Sequence, residues 1–539
     1  MKASGKTGPR ARGPRGAAVV VLPLVVYGLF AARRISAGIG YQMDEALYVE
    51  SAVYVLADGR GDPPFAHDPA FFLAAGGRRW PIMVFPYVGA FKAWVALPLF
   101  AALGTGAAVA RSSGALLGAL GIAGFVRLLA EEASPAAALV TGLALAIQPG
   151  YLDLTVFDHG GTSVWMAAMG LLAFALARFL RRRSPRSASL LGVAAGLGVW
   201  ARVNFVWLLA AAALAAAIVY GRRARPAARE LAAAAAGGLL GALPLLVYEA
   251  ASHGGTLTVM ETLGRLPAAS VGARARLSLL AELMISSRQL RPIWGGPGTR
   301  AWEVALGGAL LAAACAGAFL PGRGGDARLV SVRRALAWTA LLLSGILAFS
   351  RLPVGQHHMA AVLPPGLAAL SILAAEAWPR SPAARALAAG AGAALAAVWL
   401  SWDARIDRGL RETGGRGFWS SASFDAARAL EERSIPPAKL KLLDWGFQNP
   451  FYVVSGGRIH GTELFWGATA ERSARGRTWG DEIGEGGAFL EWDNQPPSAS
   501  VRAFRDALAQ APAAAARETV FRDRSGAPAI RLVEISPAR

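Results

Sequence analysis

A single cysteine, Cys315, occurs in 539 residues, and it lies inside an apolar run. That leaves no partner for a disulfide framework and no cysteine-based metal site. Charge is also scarce: 17% of residues are Asp, Glu, Lys or Arg, against about 25% in an average soluble domain. A chain 54% hydrophobic with so few charges is neither a disordered protein nor an ordinary soluble enzyme. Acidic residues are too few to balance the 55 Lys and Arg, and the net charge is +20. This surplus is unevenly placed. Residues 1–402 hold 36 Lys and Arg against 17 Asp and Glu, whereas residues 403–539 hold 19 against 18. The excess belongs to the apolar part, where loop arginines set membrane orientation, so it is not a nucleic-acid footprint. There is no P-loop, no dinucleotide-binding glycine fingerprint between a strand and a helix, and no nucleophile elbow.

What is present is a succession of long apolar runs separated by Arg-rich or Gly/Pro-rich gaps, the pattern of a polytopic α-helical membrane protein. The basic residues Lys2, Lys6, Arg10, Arg12 and Arg15 precede the run Ala17–Ala32, and Arg33 and Arg34 follow it directly, with no small-residue cleavage site. We read an uncleaved first span with its N-terminus in the cytoplasm. Further spans are expected near 112–130, 136–152, 162–180, 188–201, 203–220, 230–250, 301–320, 335–350, 359–376 and 384–402, about eleven in all. With this start the cytoplasmic linkers Arg178–Ser189, Gly221–Glu230, Pro321–Arg334 and Ala377–Arg385 hold five, four, four and two Lys/Arg. The outside linkers Tyr151–Gly161 and Ala201–Val203 hold none and one, as the positive-inside rule requires. The expectation is an integral protein of a bacterial inner membrane with its C-terminal region outside.

Two long outside loops interrupt the spans. After the first, ending in Arg78-Arg79-Trp80-Pro81, the apolar stretch Ile82–Leu103 carries Lys92 and two prolines, and is expected to form juxtamembrane interfacial or re-entrant helices rather than a span. Residues 403–539 have no run long enough to cross and read as a small extracytoplasmic α/β domain. A helix is expected over Phe424–Arg433, a buried strand ending in a turn over Leu440–Gly446, and further strands over Phe451–Ser455 and Ala529–Ile535. The fold class is therefore an all-α polytopic membrane domain, 1–402, with a small C-terminal α/β domain, 403–539.

Candidate chemistry collects in the outside segments. Asp44-Glu45, just beyond the first span, could serve as general base or bind a cation, and a low-dielectric setting would raise at least one of the two pKa values. The plain alternative is an acidic cap opening a helix over Glu45–Leu56. Asp153 and Asp158-His159-Gly160-Gly161 fall in a tight hairpin, where acidic groups at a membrane boundary need a partner or water; helix termination by Gly-Gly, with Asp158 as a cap, would also explain them. Asp44, Asp158 and His159 are the candidate ligands for a divalent metal ion, and the residues name no particular metal. The cations Lys92, Arg202, Arg351, His357 and His358 complete the set. Each could merely snorkel to the headgroups, but all five share the side of the carboxylates, and phosphate is the natural partner of such cations beside a bilayer.

This layout resembles the family C polytopic glycosyltransferases, in particular the dolichyl-phosphate-mannose protein mannosyltransferases and the bacterial lipid A aminoarabinose transferases. The resemblance is carried by Asp44-Glu45 after the first span, the stretch Arg79–Trp94 with Pro86–Lys92 at its centre, Asp158-His159, Arg351 with His357-His358 before Pro364-Pro365, and in the tail Asp444–Pro450 and Ser455–Arg458. It implies transfer of a sugar from a polyprenyl-phosphate donor to an extracytoplasmic lipid, glycan or protein acceptor, in the bilayer and without nucleic acid. Asp44 would be the base, with Glu45 and Asp158 as further catalytic carboxylates. Arg202, Lys92, Arg351, His357 and His358 would hold the donor phosphate. An arginine stands at 202 where the resemblance leads to a lysine. A polytopic transporter or flippase of envelope glycolipids is the alternative, although no two-fold repeat or pair of broken helices in matching positions is seen.

Overall fold

The computed structural model describes residues 14–60, 62–65, 68–265, 272–288, 290–322, 326–377, 381–465, 478–511 and 515–537. Among them six helices are long and apolar enough to cross a membrane: Ala18–Ile35, Ala107–Glu132, His159–Arg181, Ala327–Phe349, Gln356–Glu376 and Pro382–Thr413. The count rises to eight if each of two bent pairs is one span. All eleven expected segments fall on a helix or a bent pair. The difference in count comes from length: Pro185–Ala201, Phe205–Tyr220 and Ala301–Ala316 have 17, 16 and 16 residues. At 1.5 Å per residue these are roughly 24–26 Å long, short of a hydrocarbon core about 30 Å thick.

Both bends have a local cause. Pro135–Ile147 and Pro149–Val156 meet at 62° because Gln148, before a proline, is extended. Its side chain accepts from Tyr151 N at 2.5 Å and donates to Leu283 O at 2.7 Å, capping the second helix and tying it to its neighbour. Ala228–Gly241 and Leu243–Ala251 meet at 59°, with Pro244 opening the second. Small residues let helices close: a Cβ on Gly196 would lie 2.1 Å from Gly238 O, so Pro185–Ala201 and Ala228–Gly241 pack backbone to backbone. Apolar side chains line the outer surfaces, with Leu22, Val25 and Leu29 exposed on the first helix and Leu231, Leu239 and Leu240 on another. The chain is an integral membrane protein.

Between the first and second long helices the structure departs from expectation. The helix expected over Glu45–Leu56 is two, Met43–Leu47 and Glu50–Ala57. A short hairpin, Phe72–Ala75 with Arg78–Pro81, precedes Ile82–Leu103, and in place of the helices expected there stand a second hairpin, Met83–Phe85 with Val88–Gly89, and one helix, Phe91–Leu103. Pro81 and Pro86 keep the first part from being helical. The second hairpin is extended by an antiparallel bridge from Val88 to Arg202, so the Ala201–Asn204 turn is pinned to it.

At the C-terminus, the helix Pro382–Thr413 runs without a break through residue 402 and ends at Gly414, whose φ of 68° suits glycine. A five-stranded sheet follows in the order Thr462–Glu463, Leu440–Leu442, Gly487–Trp492, Pro528–Ile535, Ala516–Arg522. Its first three strands are parallel and its last two antiparallel additions, with Leu490 opposite Leu532. The strand expected at Phe451–Ser455 is instead the end of a helix, Gln448–Val454, that buries Phe451, Tyr452 and Val453 together. A short apolar run cannot distinguish the two by periodicity.

A buried ion cluster clasps the two ends of the helical part. Arg34, at the end of the first helix, donates to Asp153 at 2.7 Å, to Asp403 at 2.6 Å and to Asp407, while Arg33 pairs with Asp407 at 3.0 Å. Arg34 is therefore the partner that Asp153 needs.

Candidate active site

Four connections at one end of the helices meet: the loop after the first helix, the turn before Thr162–Arg181, the turn between Pro185–Ala201 and Phe205–Tyr220, and the segment before Leu363–Ala377. Gln42 caps the Met43–Leu47 helix by accepting from Asp44 N at 2.7 Å, which leaves the Asp44 carboxylate free of the capping role. That side chain is 27% exposed, and its Oδ2 lies 3.7 Å from His159 Nδ1. Burial pushes the Asp44 carboxyl up to about 6; Arg202 opposes this and Asp158 adds to it.

Asp158 opens the next turn with φ of 45°, a left-handed conformation that a short polar residue tolerates. Its Oδ1 accepts from Ser163 N at 2.7 Å, and its Oδ2 pairs with Lys92 Nζ at 2.8 Å, both residues being fully buried. Asp158 thus caps the long helix and neutralises Lys92. Gly160 follows with φ of 63°; a Cβ there would lie 2.5 Å from the His357 ring, so glycine serves both the turn and the close approach.

Arg202 is 3% exposed. Its Nη1 donates to Gly160 O, its Nη2 lies 3.0 Å from His358 Nε2, and its guanidinium sits 5.8 Å over the Trp165 ring. His358 Nδ1 lies 3.1 Å from Gly355 N. Arg202 Nη2 can only donate, so it bonds His358 Nε2 when the ring proton is on Nδ1, and the two are facing donors only when the proton is on Nε2 and Nδ1 accepts from Gly355 N. Arg202 Nε and the Trp165 indole N–H are also buried without a hydrogen-bond partner. Such a convergence of donors fits an anionic oxygen. His357 stacks at 4.0 Å on His358 and meets the His159 ring at 5.4 Å, joining the Asp44 side of the site to the Arg202 side.

The structure brings Asp44, Asp158, His159, Lys92, Arg202, His357 and His358 together. Two other candidates stand apart. Glu45 accepts from Arg111 through both oxygens, at 2.7 and 3.0 Å, and from Trp419 Nε1 at 2.9 Å. Arg111 donates as well to Ile39 O and Gly40 O, so this buried pair fixes the loop that carries Asp44. Arg351 is exposed and joins none of these contacts. Nor do the candidate metal ligands converge. Among the described residues no group of three His, Cys, Asp or Glu side chains is arranged to hold a metal ion. Asp158 is engaged by Lys92 and Ser163, and a donor set of Asp44 and His159 alone does not fit a resident cation.

Sequence reasoning missed Arg111, Trp419 and Trp165. Arg111 had a signal, a lone arginine in the apolar stretch Ala107–Gly118. Trp419, more than 370 positions from Glu45, had none.

A bundle of broken and continuous membrane helices, with a polar site at one end and a C-terminal sheet, is a fold shared with solved structures of known proteins. In particular, the chain superposes on the crystal structure of ArnT from Cupriavidus metallidurans in the apo state, with a TM-score of 0.58 and 16% identity, covering 96% of this chain and 97% of that one. It also superposes on the same protein bound to undecaprenyl phosphate, with a TM-score of 0.54 and 16% identity, covering 97% and 98%. No protein-family profile and no curated protein matches the sequence.

Proposed function

We propose that this chain is a membrane glycosyltransferase that moves a hexosyl or pentosyl group from a polyprenyl-phosphate donor to an extracytoplasmic lipid, glycan or protein acceptor. The observation that carries the reading is the buried Arg202 guanidinium, whose Nε has no hydrogen-bond partner and whose Nη2 lies 3.0 Å from His358 Nε2. A phosphate oxygen against Arg202 would accept from it, and from His358 as well when the ring proton is on Nε2. The similar ArnT structure bound to undecaprenyl phosphate supports a lipid phosphate in this role.

In the reaction, the Asp44 carboxylate takes the proton of the acceptor hydroxyl as its oxygen bonds to the anomeric carbon. The bond from that carbon to the phosphate oxygen breaks, and the polyprenyl phosphate leaves as an anion. Arg202 and His358 stabilise the charge that develops on it, which substitutes for a general acid. His357 holds the His358 ring in place. Lys92 and Asp158 neutralise each other and shape the turn, a positioning part rather than direct phosphate binding. No step is assigned to a metal ion. The transferase domain comprises 1–402, with the helix beyond residue 402 leading into a soluble domain. The N-terminus is cytoplasmic, and the C-terminal domain lies outside a bacterial inner membrane. The reading is tested by Asp44→Asn in purified protein. The isosteric change should lower transfer by about 10²–10⁴-fold with insertion intact; unchanged turnover refutes Asp44 as base.

A further inference from the structure

A cavity of about 540 Å³ opens beside Asp44, which is one of its lining residues. Its walls combine the loop after the first helix with the C-terminal region, which contributes Trp445 and Asn449. Two properties define what it can hold.

The first is polarity. Five aromatic rings, Phe65, Phe71, Phe72, Phe85 and Trp445, and five further apolar side chains form most of the surface. The polar residues are mostly engaged by the protein. Glu50 accepts from Asn449 Nδ2, while Asp68 accepts from Ala70 N at 2.9 Å and from Tyr248 Oη at 3.4 Å. The Asp44 carboxylate and the buried Ser51 Oγ, which has no hydrogen-bond partner, are what remains for a ligand. A polyhydroxylated glycan would leave most of its hydroxyls unpaired there.

The second is charge. Asp44, Glu50 and Asp68 all line the cavity, and among the described residues no lysine, arginine or histidine does. Burial raises the Glu50 carboxyl well above the ordinary range, against the Asn449 hydrogen bond.

We infer that the acceptor is an uncharged, largely apolar alcohol whose hydroxyl is bound between Asp44 and Ser51, and that phosphorylated acceptors are excluded. This rests on the glycosyltransferase reading for the word acceptor, but the ligand preference can be measured without turnover. The probes are 3-(2-naphthyl)propane-1,2-diol and its primary monophosphate, titrated calorimetrically into the full-length protein in nanodiscs. Each is then offered as acceptor with synthetic polyprenyl-phosphate sugars. The neutral diol should bind about 100-fold tighter than the monophosphate, the scale of like-charge exclusion. Ser51→Trp, which fills the cavity, should weaken the diol by at least about tenfold, and Asp68→Lys should narrow the preference by at least about tenfold. Equal or tighter binding of the monophosphate overturns the inference, as does wild-type diol affinity in Ser51→Trp. Neutral preference without sugar transfer supports the ligand class and refutes the donor reading instead.

Discussion

Replacing Arg202 perturbs the part of the site on which donor recognition depends. The guanidinium touches three things: Gly160 O, the face of Trp165 and the Nε2 side of His358. If a phosphate oxygen bridges Arg202 and His358, Arg202→Ala removes one charge-assisted hydrogen bond worth about 1.5–3 kcal/mol. At about 1.4 kcal/mol per decade this is a roughly 10–150-fold loss of donor affinity. The alanine also leaves Gly160 O without its donor, so the turn itself can shift. Arg202→Lys separates the two effects, because it keeps the charge but cannot serve Gly160 and the phosphate together, and should recover only part of the affinity. His358→Ala should lose a similar amount, and the double variant should lose less than the sum, since both groups hold one oxygen. The assay is binding of polyprenyl phosphate to each variant in nanodiscs, beside KM for donor and acceptor. Unchanged donor affinity in Arg202→Ala, or strictly additive losses, would refute the reasoning.

The other predictions concern Asp44, Glu45 and topology. Because the Asp44 carboxyl is raised to about 6 and must be ionised to act as base, kcat/KM should fall about tenfold per pH unit below about 6 and level off above it; a profile flat from pH 5 to 8 contradicts this. Glu45→Gln leaves the buried Arg111 uncompensated and should cost about 3–5 kcal/mol, read as a lower thermal unfolding midpoint, whereas a purely catalytic Glu45 would leave stability unchanged. Reporter fusions after Arg183 and Arg225 should read cytoplasmic and one after Asp407 extracytoplasmic; a cytoplasmic signal at Asp407 rejects the proposed orientation.

Much of the helical layout was legible because apolar runs and arginine-rich gaps are one-dimensional signals. Each expected run falls on a helix or a bent pair, yet the runs could not say that Phe205–Tyr220 and Ala301–Ala316 fall short of a full crossing, since their ends depend on turns such as the one at Arg202. The segment Ile82–Leu103 was misread because its apolar first half is kept extended by pairing with Val88 and the Arg202 turn, a tertiary effect. In the site, isolated charges at membrane boundaries picked out residues that the structure brings close together. They could not show that Lys92 and Asp158 satisfy each other, that Glu45 belongs to Arg111, or that Arg351 lies apart, because pairing across helices leaves no local spacing to read. The glycines at 160 and 161 suggested a helix break, and the break is there, but its use as a seat for His357 needed the fold.

The central claim is the donor, and purified full-length protein offered radiolabelled polyprenyl-phosphate sugars and, separately, the corresponding nucleotide sugars tests it most directly. The account predicts transfer from the lipid-linked donor, lost in Asp44→Asn, and none from the nucleotide sugar. Transfer from the nucleotide sugar alone would contradict it.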